Sequence, residues 1–143
     1  MAEEHLEDKI DLEIVTPDRL LFSGDVNSVT VPGIEGYLGI LPGHAPLLSE
    51  LQVGVITFNN GTDEFHYFCG WGFVEVLPQR VSVLVESGGT PDQVDVAQAR
   101  DECERANEIL HSDQPGLDYE EAIGHLRQAL AKLEVAERAG LTG

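Results

Sequence analysis

The spacing of the apolar residues changes once along this chain, near residue 88, and that change limits the folds it can adopt. Before it, apolar residues alternate with polar ones in short runs, as in KIDLEIVT, where Ile10, Leu12 and Ile14 alternate with acidic residues. A period of two is typical of half-buried strands. After Thr90 the period becomes three to four, which is typical of helices. Strands followed by helices predict a β unit and then a helical unit, rather than a parallel sheet with crossover helices.

Turn signals divide the first 88 residues into many short strands. The Pro17-Asp18 pair predicts a turn, and residues 25–33 alternate as one strand. Asn60-Gly61 predicts a two-residue type I′ hairpin turn, because both central residues of that turn need positive φ. Closely spaced short strands predict a β-sandwich, or flattened barrel.

Two signals mark the start of the helical region, and the sequence leaves the choice between them open. Thr90, Pro91 and Gln93 form one capping box, and Asp95 with Gln98 is a second candidate start. The apolar stripes consist of Val96, Ala99, Cys103, Ala106 and Leu110 on the first helix and Tyr119, Ala122, Leu126, Ala129, Leu133 and Ala136 on the second. Their alternating spacings of three and four predict an antiparallel two-helix hairpin.

The predicted domains are a β-sandwich over residues 1–88 and a C-terminal helical hairpin over residues 89–143. The stripes hold the two helices to each other, or they also dock on another surface. Two short helices joined by an alanine-rich seam are marginal alone. Gly88-Gly89 adds backbone freedom at the junction, so we expect the hairpin to move.

The net charge of −18 excludes some classes of partner. Such a field repels nucleic acid and anionic lipid, so we expect no nucleic-acid partner and a membrane association only through other proteins. No apolar run reaches the roughly 20 residues of a membrane helix. The acidic N-terminus has no pattern of a signal or transit peptide. Cys69 and Cys103 are predicted to be buried free thiols.

No familiar catalytic or cofactor motif is found in the sequence. It has no dinucleotide-binding glycine motif, no P-loop, no GxSxG, and no His pattern of a zinc site. We therefore predict a protein that is not an enzyme and that needs no metal or cofactor.

Residues 33–48, GIEGYLGILPGHAPLL, are predicted to form a preformed binding surface. Glycines let backbones approach closely and prolines fix the shape of a loop. The five apolar residues Leu38, Ile40, Leu41, Leu47 and Leu48 are too many for a solvated loop. Some of them should enter the core and others should face a partner. His44 either bonds to nearby backbone or contacts that partner.

These residues, with LEIVTPDRLLFSGDVNSVTVPG before them and VDVAQARDECERANEIL after them, resemble the ε subunit family of bacterial and chloroplast F-type ATP synthases. The string from Gly39 to Leu47 is the most specific part, and the resemblance covers nearly the whole chain. It implies a flattened β-sandwich and a helical hairpin at the foot of the rotating central stalk. It also implies a non-catalytic rotor subunit that couples ion-driven rotation of the c ring to ATP synthesis.

The resemblance also implies partners and contact residues. The c-ring contact corresponds to Ile34, Glu35 and Gly36, and the γ-subunit contact to Pro42, Gly43, His44 and Ala45. The C-terminal helices are expected to contact the α/β hexamer transiently and to regulate ATP hydrolysis. The implied location is the cytoplasmic face of the bacterial plasma membrane, or alternatively the stromal face of the thylakoid.

The sequence departs from the family pattern at the nucleotide site of the hairpin. Members that bind ATP carry an arginine three residues after the aspartate of the first helix, whereas here Gln98 follows Asp95 at that spacing. On the second helix Glu121 and Gln128 stand at basic positions, with Arg127 nearby. Asp95 and Arg127 remain as degenerate nucleotide-binding candidates. Without its cations such a site loses charge-assisted bonds to phosphate, so we predict weak or absent ATP binding. The resemblance implies that strongly inhibiting members carry basic residues on the second helix. Here that helix has three basic residues against five acidic ones, Asp118, Glu120, Glu121, Glu134 and Glu137, so we predict weak inhibition.

Two other functions fit the residues without the resemblance. In the first, the chain is an adaptor that uses the helices as a docking arm in another complex. In the second, it is a module that binds a small ligand. Copurification with a membrane ATPase separates the stalk subunit from the adaptor. A nucleotide-induced thermal shift tests the ligand-binding module.

Overall fold

The structure of the protein is a computed structural model that describes residues 8–140, so residues 1–7 and 141–143 of the two predicted domains lie outside the described part. The strands are β1 (Ile10–Val15), β2 (Leu20–Val26), β3 (Ser28–Gly33), β4 (Gly36–Ile40), β5 (Leu47–Leu51), β6 (Gly54–Asn59), β7 (Glu64–Cys69), β8 (Gly72–Leu77), β9 (Arg80–Val85) and β10 (Gly88–Gly89). A 3-10 turn (Pro91–Gln93) and two helices follow, α1 (Val96–Leu110) and α2 (Tyr119–Arg138).

The described strands form one sheet that folds back on itself as a sandwich. Its order is β10-β7-β6-β3-β5-β8-β9-β1-β2, with β4 paired to β3. Paired strands are antiparallel except β1 and β9, which are parallel from Asp11–Arg80 to Val15–Leu84. β3 joins the two halves, because its first three residues pair with β6 while its last residue pairs with β5. The predicted β-sandwich followed by two helices is confirmed.

The core of the sandwich lies between the two halves of the sheet. Its fully buried residues are mainly Val, Ile and Leu of alternate strand positions, as the period of two predicts. Phe58 lies at the centre of an aromatic cluster, with its ring centroid 4.4 Å from Phe22 and 5.1 Å from both Phe65 and Tyr67. This large contiguous core makes the sandwich the stable part of the molecule.

Two details of the strand prediction are wrong. Residues 25–33 do not form one strand, because the chain breaks at Asn27, whose N–H donates to the Asn59 carbonyl at 2.6 Å. The strand before the break pairs with β1 and the strand after it pairs with β6. The Asn60-Gly61 hairpin exists, but its loop has four residues. Gly61 has φ +98°, and Asn60 keeps a negative φ and accepts the Asp63 N–H at 2.8 Å.

The helical stripes form the predicted hairpin, and the structure adds a second contact. The buried seam residues are Ala99 and Ala106 of α1 and Ala122, Ala129 and Ala136 of α2. Tyr119 is an exception, because its ring is exposed and its hydroxyl donates to the Ser112 carbonyl at 2.6 Å. On another face of α2, Ala131 and Val135 pack against the sheet at Val55 and Phe68. The stripes therefore hold the helices together while this other face docks on the sandwich.

Both candidate helix starts are used. Thr90 N–H donates to the Gln93 side chain at 3.0 Å and opens the 3-10 turn, and Asp95 accepts the Gln98 N–H at 3.0 Å and opens α1. The predicted backbone freedom of residues 88–89 is wrong. They form β10 opposite Phe68 and Cys69, and a Cβ on Gly88 would lie 2.9 Å from the Phe68 carbonyl oxygen. These glycines permit close packing of two strands.

Candidate interaction surface

The first turn of the 33–48 segment is the tip of the β3–β4 hairpin. Gly36 has φ +132°, which favours glycine, and it pairs with Gly33 across the turn. Ile34 N–H donates to the Glu50 carbonyl at 2.9 Å, and the Gln52 side chain, in the connection between β5 and β6, donates to the Gly33 carbonyl at 2.9 Å. Ile34 and Glu35 are exposed on this turn. The sequence therefore builds a fixed backbone that presents one apolar and one acidic side chain.

The second turn spans Leu41 to His44. Pro42 and Gly43 are its central residues, Gly43 has φ +85°, and His44 N–H donates to the Leu41 carbonyl at 3.2 Å. Proline followed by a glycine of positive φ is typical of a type II turn. Gly43 N–H also donates to the Pro78 carbonyl at 2.7 Å, which fastens the turn to the β8–β9 connection.

His44 takes the local of its two predicted arrangements. Its Nδ1 donates to the neighbouring Ala45 carbonyl at 2.7 Å, and the ring is half-buried. This bond fixes the ring without using the second ring nitrogen. A contact of His44 with a partner stays a prediction.

The apolar residues of the segment divide as predicted. Ile40 is 1% exposed and Leu38 packs on the core, whereas Leu41 is 64% and Leu48 is 70% exposed. The two predicted contact sets do not come together. They lie at opposite ends of the five-residue strand β4, about 17 Å apart along it.

An apolar surface that the sequence reasoning missed lies on the outer face of β8 and β9. Trp71, Phe73 and Leu84 are exposed there, and the Trp71 and Phe73 rings meet edge to face at 5.0 Å. Trp71 Nε1–H donates to a Glu50 carboxylate oxygen at 2.6 Å, which fixes the indole. These residues border a cavity of about 520 Å³ that extends to Val15, Thr16 and Pro17. The sequence signal for this surface was that β8 and β9 carry large apolar residues on both faces. A strand that is buried on one face only does not need apolar residues on the other.

A cleft of about 400 Å³ lies between the two helices. Its lining residues are Glu102, Arg105, Ala106, Ile109, Ala122, His125, Gln128 and Lys132. The cations near it already have partners: Arg105 lies 2.8 Å from Asp101, and Lys132 Nζ lies 5.6 Å from the centroid of the Phe68 ring. Such cations are less available to a phosphate.

The two degenerate nucleotide candidates lie outside that cleft. Asp95 caps α1, and Arg127 borders a different groove, between α2 and Tyr37 of the sheet. The structure therefore does not bring Asp95 and Arg127 together around one pocket.

The two cysteines have different surroundings. Both are free thiols, but Cys69 is buried in the sandwich core whereas Cys103 on α1 is only half-buried. Burial raises the pKa of the Cys69 thiol to about 12. Burial and the nearby Glu102 raise the pKa of Cys103. The prediction of a buried thiol is confirmed for Cys69 and is only partly right for Cys103.

Residues 8–140 contain no cluster of metal-ligating side chains and no helix suited to crossing a bilayer. Within this range no three His, Cys, Asp or Glu side chains are grouped as metal ligands would be. Neither α1 nor α2 is apolar enough over a sufficient length to cross a bilayer.

Comparison with known proteins gives consistent matches. The family model for "ATP synthase, Delta/Epsilon chain, beta-sandwich domain" matches residues 9–89. ATP synthase epsilon chain 2 of Syntrophotalea carbinolica is 39% identical over 92% of this chain and 96% of its own length. The ATP synthase epsilon chain of Moorella thermoacetica is 41% identical over 89% of this chain and 96% of its own length. A chain in the structure of the Euglena gracilis mitochondrial ATP synthase (OSCP/F1/c-ring) has the same fold, with a TM-score of 0.77 at 20% identity over 94% of this chain and 82% of that chain.

Proposed function

The chain belongs to the delta/epsilon family of ATP synthase subunits, and from this premise we propose how it contacts the rest of the complex. It is an epsilon subunit of the F-type ATP synthase and is itself non-catalytic. We propose that its sandwich binds the γ subunit and the c ring and so transmits rotation between them. The observation that carries this proposal is the 33–48 segment, whose two turns are fastened by backbone hydrogen bonds while their side chains stay exposed.

The proposed c-ring contact is the β3–β4 tip, with Ile34, Glu35 and Gly36. Its support is an exposed carboxylate on a backbone that two hydrogen bonds hold in place. A fixed turn loses little conformational entropy on binding, so it suits a contact that must bear load. A polar loop of the partner that offers hydrogen-bond donors or a cation would recognise the Glu35 carboxylate.

The proposed γ contact begins at Pro42, Gly43, His44 and Ala45 and continues across the outer face of β8. Gly43 is bonded to the carbonyl of Pro78, which places the turn next to the strand that carries Phe73 and Leu77. Trp71 and its neighbours supply the exposed aromatic area that is typical of binding hot spots. Covering this face would remove a large apolar patch from water.

We propose that the chain divides into the sandwich, residues 1–88, and the helical hairpin, residues 89–143, and that the hairpin is the regulatory part. We propose a transient contact of its helices with the α/β hexamer, weak inhibition of ATP hydrolysis, and weak or absent ATP binding. The paired cations around the inter-helix cleft support the last two points. The proposed location is the cytoplasmic face of the bacterial plasma membrane, or alternatively the stromal face of the thylakoid, where the complex supplies the membrane attachment. A net charge of −18 supports the absence of a nucleic-acid partner.

The first test is binding to the cognate γ subunit, read by native mass spectrometry and titration. We expect a one-to-one complex that Trp71→Ala and His44→Ala each weaken by about tenfold or more, the usual size of a hot-spot loss. Leu130→Ala, an exposed leucine on the hairpin, is the matched control and should leave the affinity unchanged. Glu35→Lys should also leave γ binding unchanged and weaken attachment to the c ring. Absence of a complex between two folded proteins would instead favour an adaptor in another assembly.

Two further tests concern the hairpin. Calorimetry with ATP and the isolated full chain should give no micromolar affinity. Removal of residues 94–143, which keeps β10 and the 3-10 turn, should change ATP hydrolysis by the complex less than about twofold. A several-fold rise in hydrolysis would contradict weak inhibition.

A further inference from the structure

The tip of the β3–β4 hairpin, residues 33–36, follows the weakest part of its own ladder. The last two pairs before the turn join Pro32 to Tyr37 and Gly33 to Gly36. Proline has no N–H to donate to a ladder, and the two glycines have no side chains to pack across it. Within the described sheet, β4 pairs with β3 and with no second strand. The tip therefore depends on support from outside this ladder.

The connection between β5 and β6 holds the first arm of the tip, which is the end of β3. Gln52 bonds to this arm twice, because its N–H donates to the Pro32 carbonyl and its side-chain Nε2 donates to the Gly33 carbonyl, both at 2.9 Å. Ile34 N–H donates to the Glu50 carbonyl, also at 2.9 Å. Of these three bonds, the one from the Gln52 side chain depends on the identity of a residue, since the other two join backbone to backbone.

The side chain of Tyr37 holds the second arm, which is the start of β4. Its hydroxyl oxygen accepts the Val55 N–H of β6 at 3.1 Å. The pairing of β3 with β6 reaches Thr57 and then changes to β5, so the Tyr37 oxygen takes the place of a strand carbonyl at Val55. Val55 is buried, so its N–H would be unpaired and away from water without this bond.

The residue before Val55 is adapted to this contact. A Cβ on Gly54 would lie 2.8 Å from the Tyr37 hydroxyl oxygen and 2.7 Å from the Pro32 Cβ. Glycine at this position therefore allows both arms of the hairpin to approach β6 closely. The Tyr37 side chain is held over β6 by this fit, even though Tyr37 is 60% exposed.

We propose that Tyr37 and Gln52 are positioning residues of the c-ring contact, each of which holds one arm of the tip. Ile34 and Glu35 then keep one place relative to the sandwich, and neither Tyr37 nor Gln52 has to touch the ring. A tip held on both arms loses less conformational entropy on binding than a tip held by its ladder alone. The inference rests on the proposed c-ring contact and adds two residues that lie outside it.

The first test is residue-resolved hydrogen exchange of the full chain by NMR. Tyr37→Phe removes one hydroxyl and Gln52→Leu removes one side-chain donor, and neither changes the charge. In each variant we expect the amides of residues 34–38 to exchange at least about fivefold faster, while those of the second turn, residues 41–44, change less than about twofold.

Two matched controls make the same chemical changes elsewhere. Tyr119→Phe removes a hydroxyl that donates to the Ser112 carbonyl beside α2, and Gln79→Leu removes an exposed side chain from the β8–β9 turn. Both controls should leave exchange at the tip unchanged. Unchanged exchange at the tip in Tyr37→Phe and Gln52→Leu would overturn the inference, and an effect of one variant alone would overturn the role of the other residue.

The second test measures binding of the chain, in complex with its cognate γ subunit, to the detergent-solubilised c ring. We expect Tyr37→Phe and Gln52→Leu each to weaken ring binding at least about threefold and to leave the affinity for γ unchanged, whereas a general loss of structure would lower both affinities. Variants that bind the ring as well as the wild type does would contradict the positioning role alone. A wild-type chain that binds γ but not the ring would contradict the proposed c-ring contact, and the inference with it.

Discussion

The sandwich and the hairpin bury their apolar residues in different ways. The sandwich encloses Val, Ile, Leu and Phe side chains between two halves of one sheet, and partners far apart in sequence hold each other. The hairpin encloses mostly alanines in a seam between neighbours in sequence, and it rests on the sheet through Ala131 and Val135. Since stabilisation follows buried apolar area, the sandwich is expected to be stable alone, whereas the hairpin depends on its surroundings.

This difference matches the division of labour proposed for the subunit. A surface that transmits rotation must keep its shape, and both turns of the 33–48 segment belong to the stable region. A regulatory element must leave its resting place at low cost, and α2 rests on a small patch. The following experiments measure how far the two regions differ.

The largest expected effect is loss of the aromatic centre of the sandwich. Phe58→Ala removes a fully buried ring with three aromatic neighbours and should lower the free energy of unfolding by about 3–5 kcal/mol. Urea denaturation followed by near-UV circular dichroism gives this value. Phe73→Ala, on the exposed outer face, should cost under about 1.5 kcal/mol. Equal losses for the two variants would contradict the assigned core.

The two cysteines report on the two regions in one sample. At pH 8 we expect a thiol reagent to modify Cys103 at least about 100-fold faster than Cys69, because burial holds the Cys69 pKa at about 12 and blocks access. Raising the pH from 7 to 9 should speed the reaction of Cys103, as more of its thiol ionises, and should leave Cys69 slow. Mass spectrometry of timed aliquots measures both rates. Comparable rates would mean that the sandwich opens as readily as the hairpin.

Glycine-to-alanine substitutions should have opposite signs in the two regions. In Gly72→Ala the new Cβ would overlap the backbone of β9 at Leu84, so we expect a loss of about 1–3 kcal/mol. In Gly124→Ala, within α2, the new Cβ meets open space, so we expect a gain of about 0.5–1 kcal/mol in helix stability. Thermal unfolding by circular dichroism measures both. Destabilisation by Gly124→Ala would show a contact at that face.

A small effect is expected from removal of a helix cap. Asp118 accepts the Glu121 N–H at 3.0 Å at the start of α2, and Asp118→Ala should cost about 1 kcal/mol. The loss should appear as reduced helical signal and faster exchange in α2, with the sandwich unchanged. Asp113→Ala, in the preceding loop, is the control. A loss that spreads to the sandwich would mean that the two regions unfold together.

The sequence predicted most of the fold because the local signals were strong. The period of two and the cap at Asp95 both predict what the structure contains. The type I′ turn that the sequence predicts needs positive φ at Asn60. In the structure Asn60 has negative φ, and its side chain instead accepts the Asp63 N–H and closes a loop of four residues. The pairing of β10 was missed because a Gly-Gly dipeptide signals freedom or close approach equally well, and only the position of β7 decides between them.

The candidate surface was predictable in part. Its two turns follow from Gly36, Pro42 and Gly43, whose backbone preferences are local. The aromatic face around Trp71 was not predicted, because the outward direction of Phe73 and Leu84 depends on the register of β8 and β9. The separation of Asp95 from Arg127 depends on which face of α2 packs on the sheet. Ala131 and Val135 form that face, and the spacing of apolar residues in the sequence does not show that they do.

The parallel pairing of β1 with β9 has a mechanical consequence. A pull on the start of β1 against the end of β9 acts along two parallel strands in opposite directions, so it shears the ladder from Asp11–Arg80 to Val15–Leu84. In shear the rungs share the load and must fail together, whereas in an antiparallel hairpin pulled at its open end they fail one by one. Resistance to force is governed by the unfolding rate rather than by equilibrium stability. The sandwich is therefore expected to resist a pulling force best along the line that joins β1 to β9, the strand that leads towards the hairpin.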